Sequence, residues 1–261
     1  MNRRQFVCSA AATAAGVTMG LGAAGPQGTT STSKIPSYNP DMEYRRLGKT
    51  DLMVSAVGLG GHSRSNDEQR RAIVSRCLEA GINYIDACWD NEVKRDAKAL
   101  KGRRDQAYLA LSHGAREVRN EDFRTSKKLL ESLDELLLAS GQEYTDLWRI
   151  TCLEPGGRHT FNTACEIVDA LEKAKKQGKA RFAGFSSHDR RWIKFMIEYF
   201  PQIDVVCFPF TTMSKRAPQD SLFDALKKCD VGAFGIKPFA AASLFAGKPE
   251  ENNQRGRLAL R

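Results

Sequence analysis

The amino-acid sequence predicts an α/β fold, in which helices cover a mainly parallel β-sheet. From Met42 to the end of the 261-residue chain, short apolar runs alternate with segments of helical periodicity. Parallel strands need such helical crossovers, because a tight turn cannot connect them. Several helical segments are followed by a glycine that can end a helix, as at Gly81, Gly141 and Gly178. The length is sufficient for one large domain with a substantial core.

The domain begins with a predicted β-hairpin. Its strands are 44–47 and 53–55, and the turn-forming residues 48–51 connect them. The first strand of the main sheet is predicted at 54–59, where it ends in a pair of glycines. The polypeptide therefore enters the sheet directly from the hairpin.

Six further strands and six helices follow in alternation. The strands are predicted at 84–86, 107–111, 147–152, 182–185, 205–208 and 231–236. The helices are predicted at 66–80, 92–100, 122–140, 161–177, 191–199 and 221–228. Crossover connections of this kind place successive strands parallel to one another.

An open doubly wound sheet and a closed barrel both fit this pattern. The strand–turn–helix connections lack the G-x-G-x-x-G pattern, which weakens the dinucleotide-fold version of the open sheet. A closed barrel needs eight strands, whereas the sequence supplies seven and then the opening of another helix at 256–261. A barrel formed by this sequence is therefore expected to stop before its eighth strand.

The composition is that of an ordinary globular protein, with 41% apolar and 27% charged residues. The formal net charge is +9, and it would be about +7 without Arg3 and Arg4. The basic cluster at 173–181 is interpreted as a solvated helix face, because no RNA- or DNA-binding motif accompanies it. Nucleic acid is thus not an expected partner, whereas an anionic ligand such as a dinucleotide phosphate is compatible with the charge.

The seven cysteines do not form any C-x-x-C pair, so a zinc knuckle or an iron–sulfur cluster has no local support. Several of them lie in apolar runs, where a buried free thiol is expected. Spacing does not assign disulfide partners. The cysteines are Cys8, Cys77, Cys88, Cys152, Cys165, Cys207 and Cys229.

The first 24 residues have the pattern of a secretory signal. Arg3 and Arg4 precede Phe6, and an uncharged stretch rich in alanine and glycine ends in small residues near Ala24. The paired arginines predict the twin-arginine (Tat) export machinery as a partner and a periplasmic or extracytoplasmic location. A basic N-terminal helix or short anchor is the alternative, and the stretch is too weakly apolar for a stable membrane span. Residues 25–41 are predicted to be a flexible linker before the domain at 42–261.

Three segments, in order along the chain, resemble the aldo/keto reductase family. Residues 44–60 resemble its N-terminal hairpin and first strand, residues 81–87 its second-strand motif, and residues 178–188 its fifth-strand signature. The resemblance extends from Met42 to the end of the chain. It implies a (β/α)8 TIM-type barrel with an N-terminal hairpin, here truncated before the eighth strand, and NADP(H)-linked reduction of a carbonyl group.

The resemblance also implies a catalytic tetrad, of which this sequence keeps one member. Asp86 matches the family's aspartate, whereas Asn91, Ser112 and Thr151 stand at the positions of the tyrosine, lysine and histidine. In the family the tyrosine delivers the proton and the lysine's charge lowers the tyrosine pKa. An amide has no acidic proton in the useful range, and a serine hydroxyl supplies no charge. His113 is the neighbour that could take over from Ser112.

On the cofactor side, Ser186 keeps the serine that holds the nicotinamide carboxamide. Ser187 stands where the family commonly has asparagine, and Cys207 stands where it commonly has glutamine. Phe210 occupies the position of the aromatic residue that stacks on the nicotinamide, and Lys237 precedes the loop that lies along the pyrophosphate. NADP(H) is therefore the expected cofactor. The sequence stops before the loop that in the family grips the adenosine phosphate, and phosphate sites in barrels use the loops after strands seven and eight.

Polar and aromatic residues stand at or just past the predicted strand ends, where barrel enzymes carry their active sites. They are His62, Asp86, Cys88, Trp89, His113, Cys152, Glu154, His188 and Lys237. One hypothesis is that His62, Asp86 and His113 form a replacement acid/base or metal site. Another is that Lys237 pairs with Asp86 across the barrel mouth.

The leading functional hypothesis is an oxidoreductase that reduces a small carbonyl or sugar-type substrate by an atypical site. An exported binding protein that keeps only the barrel is the first alternative. A barrel enzyme with His/Asp or metal chemistry is the second.

Overall fold

The structure is a computed structural model that describes residues 35–152, 158–210, 221–239 and 244–260. It opens with an antiparallel hairpin of β1 (Tyr44–Arg46) and β2 (Met53–Ser55). Within the described residues, six parallel strands then form one sheet: β3 (Tyr84–Cys88), β4 (Tyr108–Ser112), β5 (Thr145–Thr151), β6 (Ala180–Ser186), β7 (Val205–Pro209) and β8 (Gly232–Ile236). The helices are α1 (Asp67–Glu79), α2 (Asp90–Ala99), α3 (Ser126–Ser140), α4 (Phe161–Lys176), α5 (Arg190–Tyr199), α6 (Leu222–Lys228) and α7 (Pro249–Leu260).

The strands lie in chain order, from β3 to β8, and every neighbouring pair is parallel. The sheet curls into a half-barrel, which confirms the predicted α/β barrel class and its N-terminal hairpin. Because side chains alternate along a strand, each strand has one face toward the inside of the curl and one toward the helices. On β5, for example, Trp148 and Ile150 are fully buried in the cluster that includes residues of the helices.

A second, smaller apolar cluster lies inside the curl and involves the hairpin. Leu47, Leu52 and Val54 pack there with residues of the strands, such as Tyr84 and Leu147. The hairpin thus covers the apolar interior, while the larger cluster joins sheet to helices.

The hairpin is fastened at both sides of the curled sheet. Asn83, just before β3, accepts a hydrogen bond from the Ser55 backbone N–H (2.8 Å) and donates one to the Met53 carbonyl (3.0 Å). Arg46 forms an ion pair of 2.6 Å with Asp230, just before β8. Both anchors precede their strands, so the hairpin lies at the amino ends of the sheet, opposite the carboxyl ends.

The main-sheet strand that was predicted at 54–59 is not formed as such. β2 ends at Ser55, and Leu59 makes only an isolated parallel bridge to Ile85. Glycines on both sides of Leu59, at 58 and 60, offer no side chain to pack and weaken a strand. The other predicted strands of the sheet lie within two residues of their observed bounds.

The helix predicted at 122–140 begins later, at Ser126. Thr125 is extended, and its side chain accepts a hydrogen bond from the Lys128 N–H, which caps the first turn. Residues 121–123 form a separate 3-10 turn. At the chain's end, the helix expected to open near 256 already begins at Pro249, a residue suited to a first helical position.

The predicted signal lies outside the described residues, as do Cys8 and most of the predicted linker. The end of that linker packs on the domain: Ser37 donates a hydrogen bond to the Gln106 carbonyl (2.9 Å), and Tyr38 stacks on Tyr44. Among the described segments, no helix has the length and apolar character needed to cross a membrane. In these segments Cys88, Cys152 and Cys207 are buried thiols, as expected.

Candidate functional site

The carboxyl ends of β3 to β7 bring the predicted site residues to one end of the sheet. The β3–β4 register pairs Cys88 with Ser112, and the β5–β6–β7 register aligns Thr151, Ser186 and Cys207. Because the strands are parallel, residues predicted from distant parts of the chain become neighbours here.

Asp86 is bound by a buried arginine that the motif comparison did not identify. Arg149 on β5 donates two hydrogen bonds to the Asp86 carboxylate, from Nε at 3.1 Å and from Nη2 at 2.8 Å. The same Nη2 also donates to Ser112 Oγ at 2.9 Å. Only 10% of the Arg149 side chain and 14% of the Asp86 side chain are exposed. Burial opposes the charge of Arg149, but the Asp86 carboxylate outweighs it, so the pKa of Arg149 lies above its usual range.

This ion pair shows that the predicted pairing of Lys237 with Asp86 was wrong. Lys237 is exposed, and its Nζ lies 3.0 Å from His188 Nε2 at the ends of β8 and β6. The Asp86 carboxylate is bound by Arg149 of β5, so its charged partner is Arg149 and not Lys237.

His113 has a structural task in the loop after β4. Its Nδ1 accepts hydrogen bonds from the backbone N–H groups of Ala115 (3.2 Å) and Arg116 (3.0 Å). Burial, with the nearby Arg116 charge, lowers the pKa of the imidazole. In the neutral ring the proton is therefore assigned to Nε2, which lies 3.6 Å from Asp90 Oδ1. His113 does not restore the charge missing at Ser112.

The hypothesis of a metal site at His62, Asp86 and His113 was wrong for the same reasons. Asp86 is engaged by Arg149, and the His113 Nδ1 lone pair is used by backbone donors. Within the part of the chain that the structure describes, no three His, Cys, Asp or Glu side chains are grouped so as to hold a metal ion.

The other tetrad positions carry no ionisable group and lie in different environments. Asn91 is exposed in the first turn of α2. Ser112 is fully buried and bonded to Arg149, and the Thr151 backbone N–H donates to Glu117 Oε2 at 2.6 Å. The structure thus brings Asp86 and Ser112 together through Arg149, while Asn91 stays at the surface.

Glu117, in the loop after β4, is a second buried group that sequence reasoning missed. It is fully buried, and its Oε1 accepts a hydrogen bond from Trp148 Nε1 at 3.3 Å. Burial raises its pKa to about 7, although the Thr151 and His113 backbone N–H groups favour the charged form. An acidic residue in a polar loop carries no sequence signal of burial. For Arg149 a signal existed, because it is a charge in an apolar strand two residues before Thr151 on the same face.

Sequence reasoning also missed Glu92, whose carboxylate binds backbone N–H groups at the end of β3. Its Oε1 accepts from the Ser63 N–H at 2.6 Å, and its Oε2 accepts from the Cys88 N–H at 3.1 Å. The carboxylate therefore holds the loop of residues 60–66 against the end of the strand that carries Asp86.

Trp89, His62 and His113 form an aromatic cluster after the ends of β3 and β4. Trp89 directly follows β3 and lies edge-on to His62 (6.3 Å) and to His113 (5.4 Å). Trp89 and His62 have φ angles of 82° and 64°, which are rare for side chains of this size. Strain of this kind often accompanies functional sites, so this aromatic cluster is a candidate for substrate contact.

The predicted nicotinamide-binding residues lie at the ends of β6 and β7. Ser186 is a buried residue, and its hydroxyl stands at the end of β6. The Ser187 hydroxyl accepts from the Asp189 N–H (3.1 Å), and burial raises the pKa of the fully buried Cys207 thiol to about 12. Ser186 therefore places a hydroxyl where the resemblance expects the nicotinamide amide.

Phe210 and Lys237 border the same end of the sheet. Phe210 is half-buried and packs edge-on against Phe223 at 5.7 Å, under the guanidinium of Arg190. Lys237 has a φ angle of 58° and is exposed directly after β8. Glu154 and residues 240–243, where the pyrophosphate-binding loop would continue, lie outside the described residues.

Comparison with protein families gives one match that covers most of the chain. The model of the aldo/keto reductase family matches residues 55–259. The chain is 25% identical to L-galactose dehydrogenase from Arabidopsis thaliana, over 80% of this chain and 69% of that protein. It is 30% identical to an uncharacterized oxidoreductase, YqkF, from Bacillus subtilis, over 69% of this chain and 60% of that protein.

A further similar protein is the L-glyceraldehyde 3-phosphate reductase of Escherichia coli, which is 25% identical over 82% of this chain and 66% of its own length. The chain thus spans between 60% and 69% of the length of these three relatives.

Solved structures give the same family. The holo form of the aldo-keto reductase AKR11C1 from Bacillus halodurans has a TM-score of 0.67 and 25% identity, over 80% of this chain and 70% of that one. An aldo/keto reductase from Klebsiella pneumoniae in complex with NADP and acetate has a TM-score of 0.65 over 83% of this chain and 78% of that one. At 18% identity, the second similarity concerns the fold alone.

Proposed function

The chain belongs to the aldo/keto reductase family, and from this premise we propose that it carries out NADP(H)-linked reduction of a small carbonyl or sugar-type substrate by an atypical site. The observation that carries the proposal is the buried Asp86–Arg149 pair at the carboxyl end of the sheet. It keeps a charged pair at the family's catalytic aspartate although the lysine position holds Ser112.

The residues at the ends of β6 and β7 fit the nicotinamide end of such a cofactor. Ser186 places a hydroxyl at the end of β6, and a hydroxyl can both donate to and accept from a carboxamide. Lys237 and His188 place basic groups at the same end of the sheet, and such groups attract the phosphates of a dinucleotide. When bound, the reduced nicotinamide supplies a hydride.

The chain's own residues would orient the substrate rather than donate an acidic proton. Asn91 is exposed and offers amide donors and an acceptor, and Ser112 is occupied by Arg149. Trp89, which stands two residues before Asn91 in the sequence and lies near His62 and His113, offers a flat apolar surface. We therefore propose that the proton on the product oxygen comes from water, which reaches the exposed Asn91 position.

The names of two relatives support a sugar-type substrate. L-galactose dehydrogenase and L-glyceraldehyde 3-phosphate reductase act, by their names, on polar aldehydes or sugars. An indole face such as that of Trp89 can pack against the apolar face of a small sugar ring.

Titration of the purified chain with NADPH, followed by fluorescence, tests the cofactor part of the proposal. We expect saturable binding, and about fivefold weaker binding for Ser186→Ala, because one hydrogen bond contributes roughly 1 kcal/mol. Ser140→Ala is the matched control, since that similarly buried serine bonds only its own helix, at Leu137. Lack of NADPH binding by the unsubstituted chain would contradict the proposal.

A second candidate function is an inactive barrel that serves as a binding protein. It is favoured by the tetrad positions, because Asn91, Ser112 and Thr151 include no group that titrates near neutral pH. Consumption of NADPH on addition of a small aldehyde, followed by absorbance, separates the two. Binding of NADPH with no turnover of any aldehyde or aldose would favour the inactive barrel.

We also propose that the chain is exported through the Tat pathway. The support is the Arg3-Arg4 motif with its uncharged alanine- and glycine-rich continuation.

A further inference from the structure

The cation of the candidate site comes from a different strand than the family resemblance implies. We propose that Arg149 on β5 takes the place of the tetrad lysine on β4, as a positioning residue that holds the Asp86 carboxylate in one orientation and gives the site its fixed positive charge. The inference rests on the proposed reductase function and deepens it.

The strand register explains how a cation on β5 can stand in the place of one on β4. On β4 and β5, Leu111 pairs with Trp148, so Ser112 and Arg149 stand side by side on the same face. The Ser112 hydroxyl is 2.9 Å from Arg149 Nη2. A lysine at 112 would meet the guanidinium in this space, whereas a serine fits and accepts a hydrogen bond. Ser112 and Arg149 therefore suit each other both in size and in hydrogen bonding.

The geometry of the ion pair favours a positioning role over accidental packing. Arg149 binds both carboxylate oxygens of Asp86, which holds the carboxylate in one orientation. A guanidinium also stays charged at every pH at which the protein is folded, unlike a buried lysine. The titratable groups that interact with its charge are Asp86, Tyr84 and Cys88 of β3, Glu117 in the loop after β4, Cys152 after β5, and Cys207 on β7. Among them Asp86 alone binds it through both oxygens.

A fixed positive charge matters for this reaction. In the reduction, NADPH would supply the hydride pair for the new C–H bond and become NADP⁺, and the π pair of the carbonyl would move to oxygen. A water molecule would protonate that oxygen and be left as hydroxide, which the buffered solvent protonates. Negative charge thus develops on the oxygen, and a preorganised positive charge lowers the barrier. Asn91 carries no charge, so Arg149 is the cation that remains at the tetrad.

Four variants test the proposal. Arg149→Gln removes the charge, Arg149→Lys keeps it, and Ser112→Lys combined with Arg149→Gln returns the cation to β4. Arg181→Gln is the matched control, because Arg181 pairs with Asp146 on the neighbouring strand and Asp146 keeps its second partner, Arg104. Each variant is measured for NADPH affinity, for kcat with glyceraldehyde as the probe, and for its thermal midpoint.

We expect Arg149→Gln to keep NADPH affinity within about threefold while kcat falls about 100-fold, as for loss of one preorganised electrostatic group. Arg149→Lys and the double variant are expected to recover at least about tenfold of that loss. Arg149→Gln should also lower the thermal midpoint, because it leaves Asp86 buried without a partner, and the double variant should restore it. Arg181→Gln should leave kcat unchanged.

An unchanged kcat in Arg149→Gln would overturn the proposal, as would a double variant no better than Arg149→Gln in both kcat and thermal midpoint. If Arg149→Gln does not fold, Arg149→Lys and the double variant give the same comparison with the unsubstituted chain. If the unsubstituted chain neither binds NADPH nor reduces glyceraldehyde, the reductase function fails. Recovery of the thermal midpoint in the double variant then still decides whether β4 and β5 are interchangeable sources of the cation.

Discussion

Two ionisable side chains, Arg149 and Glu117, are buried at the carboxyl end of the sheet, and their hydrogen-bond partners differ in charge. The guanidinium of Arg149 meets the carboxylate of Asp86, an acidic partner that raises the pKa of Arg149. The Glu117 carboxyl is bonded by an indole and a backbone N–H, which are neutral donors. Burial therefore raises the pKa of Glu117 to about 7, and the carboxyl gains a proton where surface glutamates have none.

Glu117 predicts a specific dependence of stability on pH. Its pKa is about 7 in the folded chain and ordinary in the unfolded chain, so the folded chain binds more protons between these two values. The unfolding free energy should therefore fall as pH rises through this window, by on the order of 3 kcal/mol from this group. Urea unfolding at several pH values between about 4 and 8 measures the slope.

The Glu117→Gln variant should lose this part of the slope. It should be less stable than the unsubstituted chain at low pH, where the protonated acid is bonded on both oxygens, and the difference should narrow as pH rises. Glu121→Gln is the control, because Glu121 lies in the same loop and is largely exposed beside Arg124. The assignment fails if Glu117→Gln and Glu121→Gln show the same pH dependence.

At the scale of elements, the contact between β6 and β7 requires a glycine. Gly184 faces the backbone of Val205, and a Cβ at residue 184 would lie 1.7 Å from the Val205 carbonyl oxygen. Backbone atoms of a central strand cannot move aside cheaply, in contrast to the end of a flexible side chain. The absence of a side chain here lets Ser186 and Cys207 stand side by side at the strand ends.

We expect Gly184→Ala to lower the unfolding free energy by at least about 3 kcal/mol, since overpacking against backbone is among the costly substitutions. Gly60→Ala is the matched control, because a Cβ there meets nothing within 4 Å, and the change should stay within about 0.5 kcal/mol. Urea unfolding followed by circular dichroism compares the two. Equal effects of both substitutions on the unfolding free energy would show that β6 and β7 can move apart without loss of stability.

The hairpin is the second element whose position matters for the whole. Its side chains Leu47, Leu52 and Val54 fill the interior of the curl at the amino ends of the strands. Asn83 and Asp230 bind it at the two sides of the sheet. The hairpin therefore covers the amino ends of the strands, opposite the carboxyl ends where the site residues lie.

At the scale of the whole molecule, the proposed export by the Tat route makes a prediction for the complete chain. The Tat route depends on the paired arginines, so Arg3→Lys with Arg4→Lys is expected to keep the protein in the cytoplasm. Arg190→Lys with Arg191→Lys, an adjacent arginine pair in the domain, is the control that keeps charge and should be exported. Cell fractionation with immunodetection measures both. Export of the Arg3→Lys/Arg4→Lys variant at the unsubstituted level would contradict the Tat assignment.

The order of strands and helices, and the hairpin, could be predicted from the sequence because they depend on local signals. Apolar runs and helix-ending glycines are read within a few residues, and Thr125 shifts one helix start through a cap that is also local. The position of Asp86 was likewise predicted from one contiguous motif, and the structure places it within β3, which continues two residues further than predicted, to Cys88.

The partners of these residues were decided only by the tertiary structure. Asp86 meets Arg149, 63 positions away, because three strands lie in register, and no pattern along the chain encodes that register. The burial of Glu117 and the use of the His113 ring by backbone donors depend on how one loop packs against β5. The sequence by itself determined which elements form and where the family aspartate stands. Tertiary packing determined which charge accompanies that aspartate, because burial and distance exist only once the strands are side by side.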